Sequence, residues 1–122
     1  MRSISYALRG IHFTFKTERN FRIHTVALCL AIMLGIYLSL PLVKWCLIIF
    51  SIGFVLVAEL FNTALERLGD EVAGRQPNQL VGKAKDASAA AVLLAALTAL
   101  TIGAFVLLIP LVQRALELFL SS

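Results

Sequence analysis

Glu59, Asn62, Thr63, Glu66 and Asp70 stand in the stretch AELFNTALERLGD, residues 58–70. On a helix turning about 100° per residue, their spacing of i, i+3, i+4, i+7 and i+11 gathers them in a sector about 100° wide. Carboxylates aligned in this way can do two kinds of chemistry. One can accept a proton from a hydroxyl group. Another can hold a hard cation, which takes oxygen donors and carries polyphosphate with it. About 10 Å of helical rise separates Glu59 from Glu66, so the two do not easily share one ion and suit two tasks at two depths.

The same stretch closes a long apolar run, which sets those depths. Glu59 is expected just inside the hydrocarbon boundary of a membrane and Glu66 just outside it. A charge at that edge must be paired, solvated or neutralised, and the depth matches the level of a lipid's hydroxyl head. A structural use is also open, in which Glu59 and Asn62 hydrogen-bond between helices and set the register of a bundle. It suits a lone intramembrane Glu better than an aligned Glu, Asn, Glu and Asp.

A second constellation is GKAKDASAAAV, residues 82–92. Lys83 and Lys85 at the start of a helix could hold phosphate with help from helix-end N–H groups, and Asp86 could cap that helix or orient a ligand. The two lysines could equally anchor a span among lipid headgroups. Other phosphate signatures fail. GDEVAG has the two-glycine spacing of a P-loop, but Arg75 and Gln76 follow where Lys and Ser or Thr are required, and no GxGxxG occurs. The sequence has neither the HRD and DFG motifs nor a GxSxG nucleophile. His12 and His24 lack partners at metal-ligand spacing and read as interface residues.

The elements that must position these groups follow from composition. The 122 residues are 60% hydrophobic and 15% charged, with a mean hydropathy of +0.90, which marks an all-α integral membrane protein. Apolar segments at 24–40, at 42–66 with its polar extension, and at 87–112 can each cross a hydrocarbon core of about 30 Å. Between the last two, residues 67–86 read as a polar loop punctuated by Gly and Pro. Residues 3–22 place Ile4, Leu8, Ile11 and Phe15 at helical spacing and read as an amphipathic helix lying in the interface. Ala87, Ala91, Ala95, Ala99 and Gly103 form a small-residue stripe that predicts close helix packing. Cys29 and Cys46 fall about 15 Å apart on antiparallel spans, too far for a disulfide. The first 22 residues lack the apolar centre of a signal peptide, so the N-terminus reads as mature chain.

Charge orients these spans. Nine of the eleven Lys and Arg lie before the first span or in 67–86, leaving Lys44 and Arg114 for the other side. The positive-inside rule makes the crowded side cytoplasmic. Six of the seven acids lie at or near the same boundary, with Glu117 apart. The net charge of +4 therefore reflects topology, and no basic strip with interleaved aromatics suggests nucleic acid. Trp45 beside Lys44 suits the outer interface.

With these residues in view, the chain resembles the prokaryotic diacylglycerol kinase family of small three-span membrane lipid kinases over nearly its whole length. AELFNTALERLGD resembles the family signature ExxN[ST]AxExxxD, GKAKDASAAAVL its GxAKDxxxAAV, and ALRGIHFTFKTERNFRIH its N-terminal region. The resemblance implies that Glu59 is the general base on the lipid hydroxyl and that Glu18 and Glu66 hold the magnesium of MgATP. It implies nucleotide contacts at Tyr6, Lys85 and Asp86, and a site lined by Asn62 and Asp70, with Arg22 of FKTERNFRIH expected at the substrate. It also implies a homotrimeric bundle whose active sites form between subunits, in the bacterial inner membrane. Gln79 stands where many relatives carry an acidic residue.

FKTERNFRIH is similar to the branch whose lipid is undecaprenol. The expected reaction is therefore transfer of the ATP γ-phosphate to undecaprenol at the cytoplasmic face. The alternative acceptor is diacylglycerol, giving phosphatidic acid, and spacing and charge do not choose between the two lipids. A remote alternative is a non-enzymatic transporter or scaffold whose Glu59 binds a proton or cation. It would need polar residues continuing toward the outer face, which the outer halves of the spans lack.

Overall fold

The computed structural model describes residues 2–74 and 76–121, and Arg75, counted above among the basic residues, lies outside them. Among the described residues five α-helices follow one another: α1 (Arg2–Thr17), α2 (Arg19–Tyr37), α3 (Leu42–Ala73), α4 (Gln79–Gly103) and α5 (Ile109–Leu120), the last two joined by a π-helical turn at Ala104–Leu108. Three continuous helical stretches are long and apolar enough to cross a membrane: α2, α3, and α4 through α5. No strand occurs among the described residues. The all-α, three-span expectation therefore holds, with α1 as a separate amphipathic helix.

The boundaries differ from expectation in instructive ways. The helix expected over 3–22 breaks at Glu18, whose extended backbone (φ −101°, ψ 119°) ends α1, so Arg19 to Arg22 open the first span instead. Arg22 Nη1 donates to the carbonyls of Lys16 (3.0 Å) and Phe15 (3.4 Å). Those carbonyls belong to the last turn of α1, whose own chain cannot satisfy them.

The polar interval 67–86 is not an open loop. α3 continues to Ala73, a length of 32 residues or about 48 Å, so its final turns project beyond a hydrocarbon core. Gly74 (φ +57°) takes a conformation that suits a residue without a Cβ, and its N–H donates to the Asp70 carbonyl at 3.1 Å. Asn78, after Pro77, then caps α4 by accepting from Leu80 N (3.0 Å) and Val81 N (3.2 Å). Asp86 is therefore not the cap. Lys83, Lys85 and Asp86 lie past the first turn, where the backbone N–H groups are already used within the helix, so the expected helix-end contribution to phosphate binding is absent there.

The third span, expected over 87–112, passes Pro110 and continues beyond that end. Pro110 removes one donor from the i→i−4 ladder, and the π turn just before it widens the helix so that it runs on to Leu120.

α3 packs most extensively on α4. The packed side of α3 is the buried row Ile48, Ser51, Val55, Glu59 and Thr63, at helical spacing. Ser51 Oγ satisfies itself on the Leu47 carbonyl (2.6 Å), as hydroxyls in apolar helices do. On α4, Ala95 is fully buried, as the small-residue stripe predicts. Gly103 is different, because an added Cβ there would meet nothing. The close-packing expectation thus fails at that end of the stripe, where Gly103 borders open space. Trp45 also departs from a purely interfacial role: its ring lies against Gly35, where a Cβ would come within 2.8 Å of Cη2. There it joins the cluster of Leu40, Ile48 and Val106. Both cysteines are free and exposed.

Candidate active site

The aligned face of α3 grades from buried to wet along its length. Glu59 is 2% exposed and Thr63 3%; Asn62 and Glu66 are half-buried and Asp70 is exposed. Thr63 Oγ1 donates to the Glu59 carbonyl at 2.9 Å, which fixes the local helix without touching the carboxylate. Glu59 itself turns toward α2, where its Oε1 lies 3.2 Å from His24 Nε2. The atoms are close, but Oε1 accepts no aligned hydrogen bond among the described residues. A buried carboxylate oxygen without a donor is expensive.

One turn further on, Asn62 links two residues. Its Nδ2 donates to Glu66 Oε1 at 3.1 Å, and its Oδ1 faces Ser88 Oγ on α4 at 2.7 Å. A carboxylate can only accept and an amide oxygen can only accept, so this arrangement permits one orientation of the Asn62 amide. Ser88 Oγ is also 2.8 Å from the Lys85 carbonyl, and its single proton serves one acceptor at a time. Beyond it, Lys85 Nζ pairs with Asp70. Gly69 makes that crossing possible, because a Cβ there would lie 2.9 Å from Val81 Cγ1 and 3.2 Å from Lys85 Cε.

Glu18 enters from the break between α1 and α2. Its Oε1 accepts from Arg67 Nη2 at 3.1 Å, and the Arg67 guanidinium lies 5.4 Å from the Phe13 ring centroid, so Arg67 ties both α1 and the break to α3. Glu18 and Glu66 both lie within electrostatic reach of Glu59. Among the described residues no group of three or more His, Cys, Asp or Glu gathers as a metal cage. A magnesium site of one or two carboxylates completed by phosphate and water needs no such cage, and Glu18 with Glu66 offers a donor set of that kind.

Not every expected residue joins the cluster. Tyr6 is exposed, stacked by Arg9 with its Cζ 4.6 Å from the ring centroid, and lies about 18 Å from the Glu18 break by helical rise. Asp86 is exposed and makes no side-chain hydrogen bond to the cluster among the described residues. The guanidinium of Arg22 is turned to the end of α1. Conversely, His24, Arg67 and Ser88 belong to the site and had not stood out. Arg67 and Ser88 at least adjoin the two signatures, being next to Glu66 and one helical turn after Lys85. For His24 no spacing rule applies, because its partner is on another helix.

Beside this cluster an apolar cavity of about 590 Å³ opens between α2, α3 and α4. Its walls include Ala27, Val55, Ala99, Gly103 and Leu108, and among the described residues His24 is the one ionisable group lining it. A hydrocarbon-lined space with one polar corner suits a ligand that is mostly chain.

A small all-helical membrane protein with a buried carboxylate, a second acidic pair and an apolar cavity is the class that fold and site define. The sequence matches the family model described as prokaryotic diacylglycerol kinase over residues 5–107. It is 39% identical over 111 residues to a diacylglycerol kinase of Synechocystis sp., covering 91% of this chain and 63% of that protein. It is 36% identical over 107 residues to an undecaprenol kinase of Bacillus subtilis, covering 88% of this chain and 86% of that protein. A diacylglycerol kinase of Escherichia coli is 31% identical over 99 residues, with 81% and 80% covered. The chain belongs to the prokaryotic diacylglycerol kinase family.

Proposed function

We propose that the protein is an ATP-dependent lipid kinase that transfers the γ-phosphoryl group of ATP to the hydroxyl of undecaprenol, giving undecaprenyl phosphate. The observation that carries the reading is the buried Glu59 carboxylate beside His24, where His24 also lines the apolar cavity. That placement brings the hydroxyl end of a long-chain alcohol to a proton acceptor while its chain stays in hydrocarbon. The proton of the alcohol passes to Glu59 as the alcohol oxygen bonds to the γ-phosphorus and the bond to the ADP oxygen breaks. Because phosphoryl transfer has a loose transition state, positioning of the alcohol counts for more than the strength of the base.

Glu18 and Glu66 are the residues that would hold magnesium, which when bound offsets the charge on the phosphates. Asn62 keeps Glu66 in place, and Lys85 exchanges Asp70 for phosphate oxygen. Until that exchange the Asp70–Lys85 pair holds the end of α3 against α4, and Asp86 and Tyr6 meet the outer parts of the nucleotide. Arg22, at the polar rim, faces the lipid headgroup region. The uneven distribution of Lys and Arg supports a cytoplasmic active site in the inner membrane. The many outward-facing apolar residues of the spans leave room for a homotrimer with sites completed between copies.

Diacylglycerol is the second acceptor to consider, since the relatives named above include kinases of both lipids. FKTERNFRIH favours undecaprenol. Purified protein given both lipids in detergent with radiolabelled ATP is the test: preferential labelling of undecaprenol is expected, and a large preference for diacylglycerol removes that assignment.

A further inference from the structure

We propose that His24 is a positioning residue for Glu59: it donates from Nε2 to one carboxylate oxygen and leaves the other for the substrate hydroxyl. The inference rests on the lipid-kinase reading and adds to it a residue on a different helix from the signature. Glu59 Oε1 is buried without a hydrogen bond, and His24 Nε2 at 3.2 Å is the group that could supply one after a small rotation of the ring. The other charged groups acting on Glu59 are Glu18, from the break before α2, and Glu66, on α3 itself. Both are acids and cannot donate when ionised.

The second observation is independent of that contact. His24 is partly exposed and is one of the residues lining the apolar cavity between α2, α3 and α4. Its ring therefore sits between the chain-holding space and the carboxylate. A hydroxyl arriving from the cavity meets His24 first, with the Glu59 carboxylate 3.2 Å from its Nε2. A neutral imidazole with its proton on Nε2 is sufficient for the donation, so no change of charge is involved. The contact also joins α2 to α3 near the mouth of the cavity, so the same residue fixes the carboxylate and the wall beside it.

Steady-state kinetics on the purified full chain test this, with whichever of the two lipids the wild type phosphorylates and with MgATP. His24→Leu keeps an apolar wall but removes the donor. Its kcat is expected to fall about 10–100-fold, as when an orienting partner of a functional group is lost, with MgATP affinity unchanged. The lipid KM is expected to stay within about threefold, since binding of the chain is retained. His24→Gln restores an N–H donor at comparable reach and is expected to recover most of kcat.

Equal losses in the Leu and Gln variants would overturn the role, as would a raised lipid KM with kcat intact, which describes a wall residue alone. Lost MgATP binding would do the same, because it signals a general structural defect. A wild type that labels no lipid alcohol defeats the kinase reading itself. An active wild type with an equally active His24→Leu variant defeats only the assignment of His24.

Discussion

The two ends of the α3 helix are held by different forces. At the site end, α3 meets α4 through Asn62–Ser88 and Asp70–Lys85, over a close approach at Gly69. At the far end, α3 meets its neighbours through the Trp45 ring on Gly35 and the apolar cluster of Leu40, Ile48 and Val106. The far end also has a polar clasp, from Arg114 Nη1 on α5 to the Tyr37 carbonyl that ends α2 (3.0 Å), with the guanidinium over the Tyr37 ring. The polar pairs at the site end hold side chains that can be exchanged for a ligand. The apolar packing at the far end offers nothing to exchange, so it serves only to hold the helices together.

That contrast predicts that site-end changes alter turnover while far-end changes alter stability. The largest effect is expected from Glu59→Gln, which keeps the shape and removes the proton acceptor. Turnover should drop by about 10²–10⁴-fold with MgATP binding largely intact, as measured by lipid labelling and by nucleotide titration. A loss of nucleotide affinity as great as that of Glu66→Gln would erase the division of tasks along the helix.

Glu66→Gln is the converse. It should weaken MgATP binding and shift the dependence of rate on magnesium to higher concentration, which a magnesium titration reads directly. Next comes Ala99→Leu, which places a larger side chain on the cavity wall. It should raise the KM for the long-chain alcohol more than it lowers kcat, and an unchanged lipid KM would mean that the chain lies elsewhere.

At the far end, Gly35→Ala forces a methyl group against the Trp45 ring. It should destabilise the fold by about 1–3 kcal/mol, the usual effect of overpacking, read as a lower thermal midpoint in detergent. Its specific activity at low temperature should match the wild type. Arg114→Met should give the smallest change, a lowering of the midpoint less than that of Gly35→Ala, with turnover unaltered. Activity loss in either variant without unfolding would break the contrast between the ends.

Much of this architecture was legible from residue order. Three spans, their shared loaded side and the aligned acids of α3 all follow from local periodicity and charge, which survive whatever the helices do to one another. The boundaries were less legible. Polar residues from Arg67 to Ala73 look like loop by composition, yet they continue a helix because its turns extend into water, where polar side chains are no obstacle. Asn78 is a recognisable cap in retrospect, being the Asn directly after Pro77 and before a helix-compatible run. The run of the third span past residue 112, through the π turn before Pro110, was not legible either, because hydropathy and periodicity do not reveal a π widening.

The sequence by itself determined that this chain is a membrane protein and that Glu59, Glu66 and Asp70 share one helical face, with Glu59 and Glu66 about 10 Å apart along it. Hydropathy, rise per residue and helical angle are properties of a single segment. Only the tertiary structure decided that His24 faces Glu59, that Arg67 holds Glu18, and that an apolar cavity opens beside them. Those partners sit on different helices, and their meeting depends on tilt and rotation set by packing, above all by the close approaches at Gly35, Gly69 and Ala95.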